Sequence, residues 1–324
     1  MITEEIGRTD SCAQNHSEFS AMVVGKILWE YEKAPCRIQS LYELAKEKMW
    51  NANSDVPWND FGRDRSFPSS HESEPLTGFA EYEALPDDER RRISWWRHAL
   101  EISEILHGEQ GALLVASQLV SCLPTVESKL FASSQVFDEA RHVEFFSRYL
   151  REVVGEIHPP SEELKRLIQS MVDEPRWDMK FIACQILIES LAMAKFQEIR
   201  QSTQVPVLAF AIDYIAADEA RHVKFGTEFL KDHLASLSAP ELAERSDFVL
   251  DNVLRLANSL NITTRIAESY DWDVAALRHH LRQYRVRHPE INRNRFRQLL
   301  INLKAVGLLT ERTHMRMMSM EVMR

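Results

Sequence analysis

The chain has 324 residues, carries a formal charge of -10, and is 44% hydrophobic and 27% charged. That is the composition of a globular protein long enough to bury a sizeable core, and the acidic balance speaks against nucleic-acid binding by the chain as a whole. Only 9 glycines and 12 prolines, beside long Ala/Leu/Glu/Arg/Gln-rich stretches, argue for helices over strands and turns. The four cysteines (Cys12, Cys36, Cys122 and Cys184) are scattered with no CxxC pair, so neither a zinc site nor a disulfide framework is expected. With no signal peptide and no apolar run of transmembrane length, a cytoplasmic location without membrane contact is expected.

Residues 1–18 are polar and read as loose. Helices are expected over Met22–Glu32 and Pro35–Met49. Trp50–Leu85, rich in Asn, Asp, Ser, Pro and aromatics, reads as an extended segment wrapping the outside of a bundle. A long helix starts near Pro86, has acidic residues in its first turn, and is stopped by Pro124. Further helices are expected over Thr125–Val154, Ser161–Val172, Trp177–Gln201, Val207–Leu234 and Pro240–Leu260, with one or two more from Trp272 onwards. The organisation expected is 1–85 as N-terminal helices and wrap, 86–236 as the bundle, and 237–324 as a helical extension, all within one continuous domain.

The word DEARH occurs twice, at Asp138–His142 and Asp218–His222. Residues three apart share a helix face, so Glu139 with His142, and Glu219 with His222, each aim a carboxylate and an imidazole in one direction. Glu109 precedes Glu139 by 30 positions, with Pro124 midway, and Glu189 precedes Glu219 by 30, with a break at Gln204 midway. At about 1.5 Å per residue each hairpin runs roughly 22 Å out and the same distance back, so its two glutamates finish level. The halves match at a constant offset of 80: Glu109, Ala112, Asp138, Glu139, Ala140, Arg141, His142, Val143, Phe145 and Leu150 map onto identical residues. This is an internal repeat of one helical hairpin. Two such hairpins make a four-helix bundle whose core holds Glu109, Glu139, His142, Glu189, Glu219 and His222, the ligand set of a dimetal site. A single Glu-x-x-His is usually only a solvated face. Two copies with matched lone glutamates on apolar helices are not, because unpaired buried carboxylates would cost several kcal/mol. Around the ligands, Asp138 is placed to reach His222 and Asp218 to reach His142, with Arg141 and Arg221 pairing with those aspartates.

These motifs resemble the ferritin-like dimetal-carboxylate proteins. The branch they look most like contains the ribonucleotide reductase small subunit, the ligand-binding oxidases, the diiron monooxygenases and the acyl-carrier desaturases. The resemblance covers roughly residues 35–235; LYELAKEKMWNANSDVPW (Leu41–Trp58) and FDEARHVEFFSRYL (Phe137–Leu150) look most like the ligand-binding oxidases. It implies an all-α, ferritin-like four-helix bundle with extra N- and C-terminal helices. It also implies two Fe ions, with Mn/Fe as the variant, and O2 activation through a peroxo or high-valent intermediate. Glu139 and Glu219 would bridge, Glu109 with His142 would complete one metal, and Glu189 with His222 the other. There are departures. The position of the reductase radical tyrosine is Phe146, and the Tyr–Val crosslink positions of the oxidases are Cys184 and Gly111. The third histidine of the superfamily's N-oxygenases is replaced by Ile215, which argues against membership of that group without excluding N-oxidation chemistry.

The implied activity is a dimetal oxygenase or oxidase acting on a small organic substrate, supplied by an external electron donor. Ala112, Leu113, Cys184, Met193, Phe196 and Ile215 are candidate pocket residues. The small residues Gly108, Gly111, Ala112 and Ala192 either leave a cavity or allow close helix packing. Trp95 is a candidate for an electron path, or simply a buried aromatic. An acyl-carrier-linked desaturase or hydroxylase, and a non-catalytic iron-binding or radical-storing protein, are the competing readings. The seven arginines of Arg278–Arg297 are a docking candidate for an electron donor, an acyl-carrier protein or a neighbouring subunit; a solvated helical face is the simpler account. A homodimer is expected.

Overall fold

The computed structural model describes residues 25–29, 31, 37–59, 66–70, 73–257 and 261–319. The architecture is all-helical: α1 (Arg37–Glu47), α2 (Ala80–Glu83), α3 (Asp87–Cys122), α4 (Val126–Tyr149), α5 (Glu162–Asp173), α6 (Trp177–Phe181), α7 (Glu189–Ser202), α8 (Pro206–Ala235), α9 (Ala239–Ala257), α10 (Asn261–Ser269), α11 (Val274–Arg287), α12 (Pro289–Ala305) and α13 (Glu311–Ser319). Two π-helical stretches interrupt this order, Leu150–Val154 after α4 and Ile182–Ile188 between α6 and α7.

Local chemistry sets the boundaries of the bundle helices. Asp87, Asp88 and Glu89 occupy the first turn of α3, where the helix dipole favours negative charge. At its far end the chain turns through Pro124 to Thr125, whose side chain accepts from the Ser128 backbone N–H in a reciprocal cap that starts α4. Gly155, at φ 98°, closes the π-helical end of α4 in a left-handed conformation. Pro206 opens α8 at a position where its missing N–H costs nothing. The α7–α8 turn is held from outside, since the Ser70 N–H donates to the Ser202 carbonyl and the Gln204 N–H to the Pro68 carbonyl, both at 2.9 Å. Residues 66–70 therefore pin one of the bundle's turns from outside.

α3 packs along α4, α7 along α8, and α4 meets α8 across the bundle. Among the described residues the apolar core forms three bodies, one of them where residues 76–82 meet α3, α10 and α11, and the other two along the bundle. Along α4, Phe131 and Ala132 belong to one, Phe145, Phe146, Tyr149 and Leu150 to the other; along α8 the same division runs between Phe225, Leu230 and Leu234 on one side and Leu208, Ile212 and Ile215 on the other. The DEARH segments lie between the two. α12 packs on α7, where Asn302 Nδ2 donates to Ser190 Oγ at 2.8 Å. Buried Lys180 donates to the Met171 and Val172 carbonyls at 2.6 and 2.9 Å, satisfying the C-terminal end of α5.

Several expectations are corrected. Over Met22–Glu32, residues 25–29 and 31 are non-helical, with the Lys26 N–H bonded to the Ser121 carbonyl; the rest of that segment, Cys12 and Cys36 lie outside the described residues. α10 was not anticipated, and three helices follow Trp272 where one or two were expected. At Gly111 the alternatives resolve to close packing: a Cβ there would stand 2.7 Å from Ile168 of α5. Trp95 is half-buried, its indole N–H bonded to the Ser66 carbonyl and its ring edge-on to His98.

Two predictions follow from this packing. Gly111→Ala should destabilise the fold by about 1–3 kcal/mol in urea unfolding, because Ile168 has to be displaced. His98 is buried, hydrogen-bonded through Nε2 to the Tyr149 hydroxyl at 2.8 Å, and lowered to about 4, first by burial and then by the Arg97 and Lys195 charges acting against Glu101. Its folded value lies below that of the unfolded chain, near 6.5, so the unfolded chain takes up the proton first. The neutral imidazole's full contribution is present above pH ~6.5 and about 3 kcal/mol of it is lost as the pH falls to ~4. The stability difference between wild type and His98→Gln should change across that window and stay flat above it.

Candidate metal centre

Glu109 comes from α3, Glu139 and His142 from α4, Glu189 from the first turn of α7, and Glu219 and His222 from α8. All six are buried. Their ligand atoms form two overlapping sets, Glu109–Glu139–His142–Glu219 and Glu139–Glu189–Glu219–His222, each within 4.8 Å. Glu139 and Glu219 belong to both. His142 Nδ1 lies 3.0 Å from Glu109, 3.1 Å from Glu219 and 3.6 Å from Glu139. His222 Nδ1 lies 2.9 Å from Glu219, 3.4 Å from Glu139 and 3.7 Å from Glu189.

The other imidazole nitrogen of each histidine faces an aspartate of the opposite hairpin. His142 Nε2 is 3.1 Å from Asp218 Oδ2, and His222 Nε2 is 3.2 Å from Asp138 Oδ2. Donation from Nε2 to a carboxylate fixes the ring rotation and leaves Nδ1 as the free lone pair. Arg141 pairs with Asp138 and, at 3.1 Å, with Asp218; Arg221 pairs with Asp218 and, at 3.6 Å, with Asp138. The result is a crossed quartet that neutralises its own charge and sits behind both imidazoles.

The inner ring has no such internal neutrality. Four carboxylates and two neutral imidazoles carry four negative charges in a space closed to water. Burial pushes Glu109 up to about 8, and burial with the Glu219 and Glu139 charges drives Glu189 well above the carboxylate range. Burial works against charge on the histidines too, yet the surrounding carboxylates outweigh it and raise His222 to about 10. Protons alone would balance the cluster only by occupying the ligand atoms themselves; two divalent cations balance it with every ligand ionised. Glu139 Oε2 fits that second account, since it is buried and accepts no hydrogen bond among the described residues. The donor set of carboxylates and imidazoles suits iron or manganese.

Of the candidate pocket residues, Ala112, Cys184, Phe196 and Ile215 are buried, and Leu113 and Met193 are half-buried. Phe196 and Ile215 share an apolar cluster with Ala192 and Phe146, and Phe196 stacks parallel to Phe146 at 6.1 Å. The Cys184 thiol lies 3.9 Å from Glu189 Oε1.

Three residues of the site escaped the sequence reading. The Trp50 indole N–H donates to Asp218 Oδ2 at 2.8 Å, and its ring stacks over His142 at 6.4 Å. Nothing in its neighbourhood of polar turn residues signals this. Gln135 donates to the inner carboxylates of Glu139 and Glu189, and Gln185 donates to Gln135 in turn; each stands four residues before a ligand glutamate. A groove of ≈ 640 Å³ between α1 and α8, lined by Leu41, Leu44, Tyr214, Asp218 and Arg221 among others, brings solvent close to the crossed quartet.

Asp218 accepts from Trp50, Arg141, Arg221 and His142, and burial notwithstanding it is held well below the usual carboxylate range. Asp218→Leu strands the Trp50 and His142 donors in the interior and takes from Arg141 and Arg221 one of their two aspartates. A stability loss of about 3–5 kcal/mol is expected in denaturant unfolding, against about 1–3 kcal/mol for Trp50→Phe, which removes a single donor.

Comparison with known proteins supplies the lineage. No curated protein matches the chain. Solved structures of R2-like ligand-binding oxidases match its fold. One with a metal cofactor after photoconversion is 18% identical, covering 84% of this chain and 93% of that one at a TM-score of 0.55. A variant with an anaerobically reconstituted Mn/Fe cofactor is 20% identical, covering 84% and 94% at 0.56. At these identities the likeness shows the ferritin-like fold alone. The family model described as p-aminobenzoate N-oxygenase AurF matches residues 32–290. The expectation drawn from Ile215, that the chain stands apart from the N-oxygenases, is thereby corrected: the match runs through position 215, and the isoleucine is a departure within the family. A carboxylate–histidine dimetal site on a ferritin-like bundle, matched over most of its length by that model, makes this chain a member of the AurF family of oxygenases.

Proposed function

We propose that the protein is a diiron oxygenase that oxidises the nitrogen of a small aromatic amine. The observation that carries the reading is the pair of overlapping four-ligand sets sharing Glu139 and Glu219. The amine is suggested by the family's named substrate, p-aminobenzoate, and by the apolar neighbourhood of Phe146, Phe196 and Ile215.

In this reading Glu109, Glu139, His142, Glu189, Glu219 and His222 would hold two iron ions, Glu139 and Glu219 belonging to both ligand sets, Glu109 with His142 serving one and Glu189 with His222 the other; a Mn/Fe pair would use the same residues. Iron held there would supply the redox chemistry that O2 reduction needs. Oxidising an amine to a hydroxylamine consumes one O2, two electrons and two protons and releases one water, so an external electron donor is required. The chain's own part is positional. Asp138 and Asp218 hold the imidazole N–H groups, and Arg141 and Arg221 hold the aspartates. The burial of all six ligands keeps bulk water from the reacting atoms. Ala112, Leu113, Cys184, Met193, Phe196 and Ile215 shape the substrate's surroundings. Exposed Leu130 and Phe137, two turns apart on α4, with Leu114 on α3, offer an apolar face that a homodimer would cover. No described helix is long and apolar enough to cross a membrane; a cytoplasmic location agrees with the buried free thiols of Cys122 and Cys184.

The test is metal analysis followed by turnover. Protein loaded anaerobically with Fe(II) should hold about two ions per chain, and Glu139→Ala and His222→Ala should hold fewer while keeping their helical circular dichroism. Given a chemical reductant, labelled O2 and p-aminobenzoate, the wild type should place one labelled oxygen atom on the amine nitrogen. A wild type holding no more iron or manganese than the variants sinks the dimetal assignment. Full metal loading with label recovered only in water sinks the N-oxygenase assignment.

A further inference from the structure

The two hairpins repeat at an offset of 80, and three of the places where the repeat fails converge on one point. Gln135 stands where the second hairpin has Ile215. Gln185 stands where the first has Ile105. Gly226 stands where the first has Phe146. The π-helical stretch Ile182–Ile188 has no counterpart in the first hairpin, where the equivalent part of α3 is regular. In the fold Gln135, Gln185 and Gly226 meet. Gln135 Nε2 donates to Glu139 Oε1 at 3.0 Å and to Glu189 Oε1 at 2.8 Å, and its Oε1 accepts from Gln185 Nε2. A Cβ at position 226 would stand 2.7 Å from Gln185 Cβ and 3.2 Å from its carbonyl oxygen, so only glycine lets the π-helical stretch lie this close to α8.

The orientation of both amides is dictated by chemistry. Ionised carboxylates only accept, so Gln135 must present its NH2 to them and turn its oxygen to Gln185. Gln185 must then donate. Its own Oε1 is left without a partner in the described structure, although Gln185 is fully buried. An unsatisfied buried acceptor is unfavourable, and the alternative orientation would set Gln185's oxygen against Gln135's. The pair is arranged for the carboxylates at its own expense.

The other half lacks this support. Glu109 is held by His142 Nδ1, itself a ligand atom that cannot serve carboxylate and cation together. We infer that the two cation sites are inequivalent, and that Gln135, braced by Gln185 against Gly226, is a positioning residue that makes the Glu139–Glu189–Glu219–His222 site the tighter one, filled first. This rests on the dimetal reading above. It concerns the ranking of the two sites, which six ligands of matched type do not by themselves specify.

Anaerobic titration with Mn(II) alone, reading the free ion by electron paramagnetic resonance, separates the possibilities. Wild type should show two classes of site, one equivalent in each. Gln135→Leu should weaken the tighter class by about 10–100-fold, the range seen when a ligand loses its hydrogen-bond partner, and leave the weaker class in place. Gly226→Ala, which touches no ligand, should shift the same class in the same direction by displacing Gln185. Circular dichroism and thermal unfolding confirm that each variant is folded. Glu139→Ala, which removes a shared ligand, should lose both classes and so reports on the dimetal reading separately. Two equal classes in wild type, or a tighter class unmoved by both Gln135→Leu and Gly226→Ala, overturns the inference and leaves the dimetal reading standing. No uptake by wild type overturns both.

Discussion

Four carboxylates are buried side by side, and the rest of the molecule is built to tolerate them. Their mutual repulsion in a water-free interior exceeds what hydrogen bonds alone can offset. The repeat answers the need twice over. Each hairpin contributes two glutamates and one histidine inward, and behind each imidazole an aspartate from the other hairpin completes the link. Because those contacts cross between hairpins, the charge cluster is also what sets the two hairpins in register. Apolar bodies lie on either side of the ring along α4 and α8.

The helices that bear ligands differ in how they are supported. α4 and α8 carry the DEARH segments in unbroken α geometry, so the ligand, the aspartate before it and the arginine three residues later fall on the faces that helical periodicity assigns. Glu189 instead follows a π-helical stretch, which changes the angle at which α7 enters the ring. Such stretches are intrinsically less stable than α-helix. This one packs against Gly226 through Gln185 and Ile186, and its Ile182, Ile186 and Leu187 are buried in the apolar core.

What the sequence revealed of all this follows from which features are periodic. The six inner residues stood out because they occur twice at one offset, and the aspartates and arginines because they travel inside the repeated word. The bundle helices were legible from caps and prolines whose chemistry is local: Pro124, Thr125, Gly155 and Pro206. Trp50 was not legible, because its hydrogen bond to Asp218 spans 168 residues and sits in a stretch with no periodicity. The glutamines were passed over because they break the repeat that exposed everything else. Gly111 was ambiguous until its neighbour was known, since only the position of Ile168 distinguishes a cavity from a tight crossing. Ile215 misled, because a missing ligand type was read as a missing lineage.

The stacking of Trp50 over His142 has an optical side. An indole whose N–H is bound to the carboxylate behind a ligand imidazole shares its electrostatic surroundings with the centre, and it lies 5.6 Å from Tyr214 at the edge of the α1–α8 groove. Its indole thus touches the polar layer behind the ring on one side and a groove-lining tyrosine on the other. The protein carries, in the segment before its bundle, a native chromophore beside its most deeply buried layer.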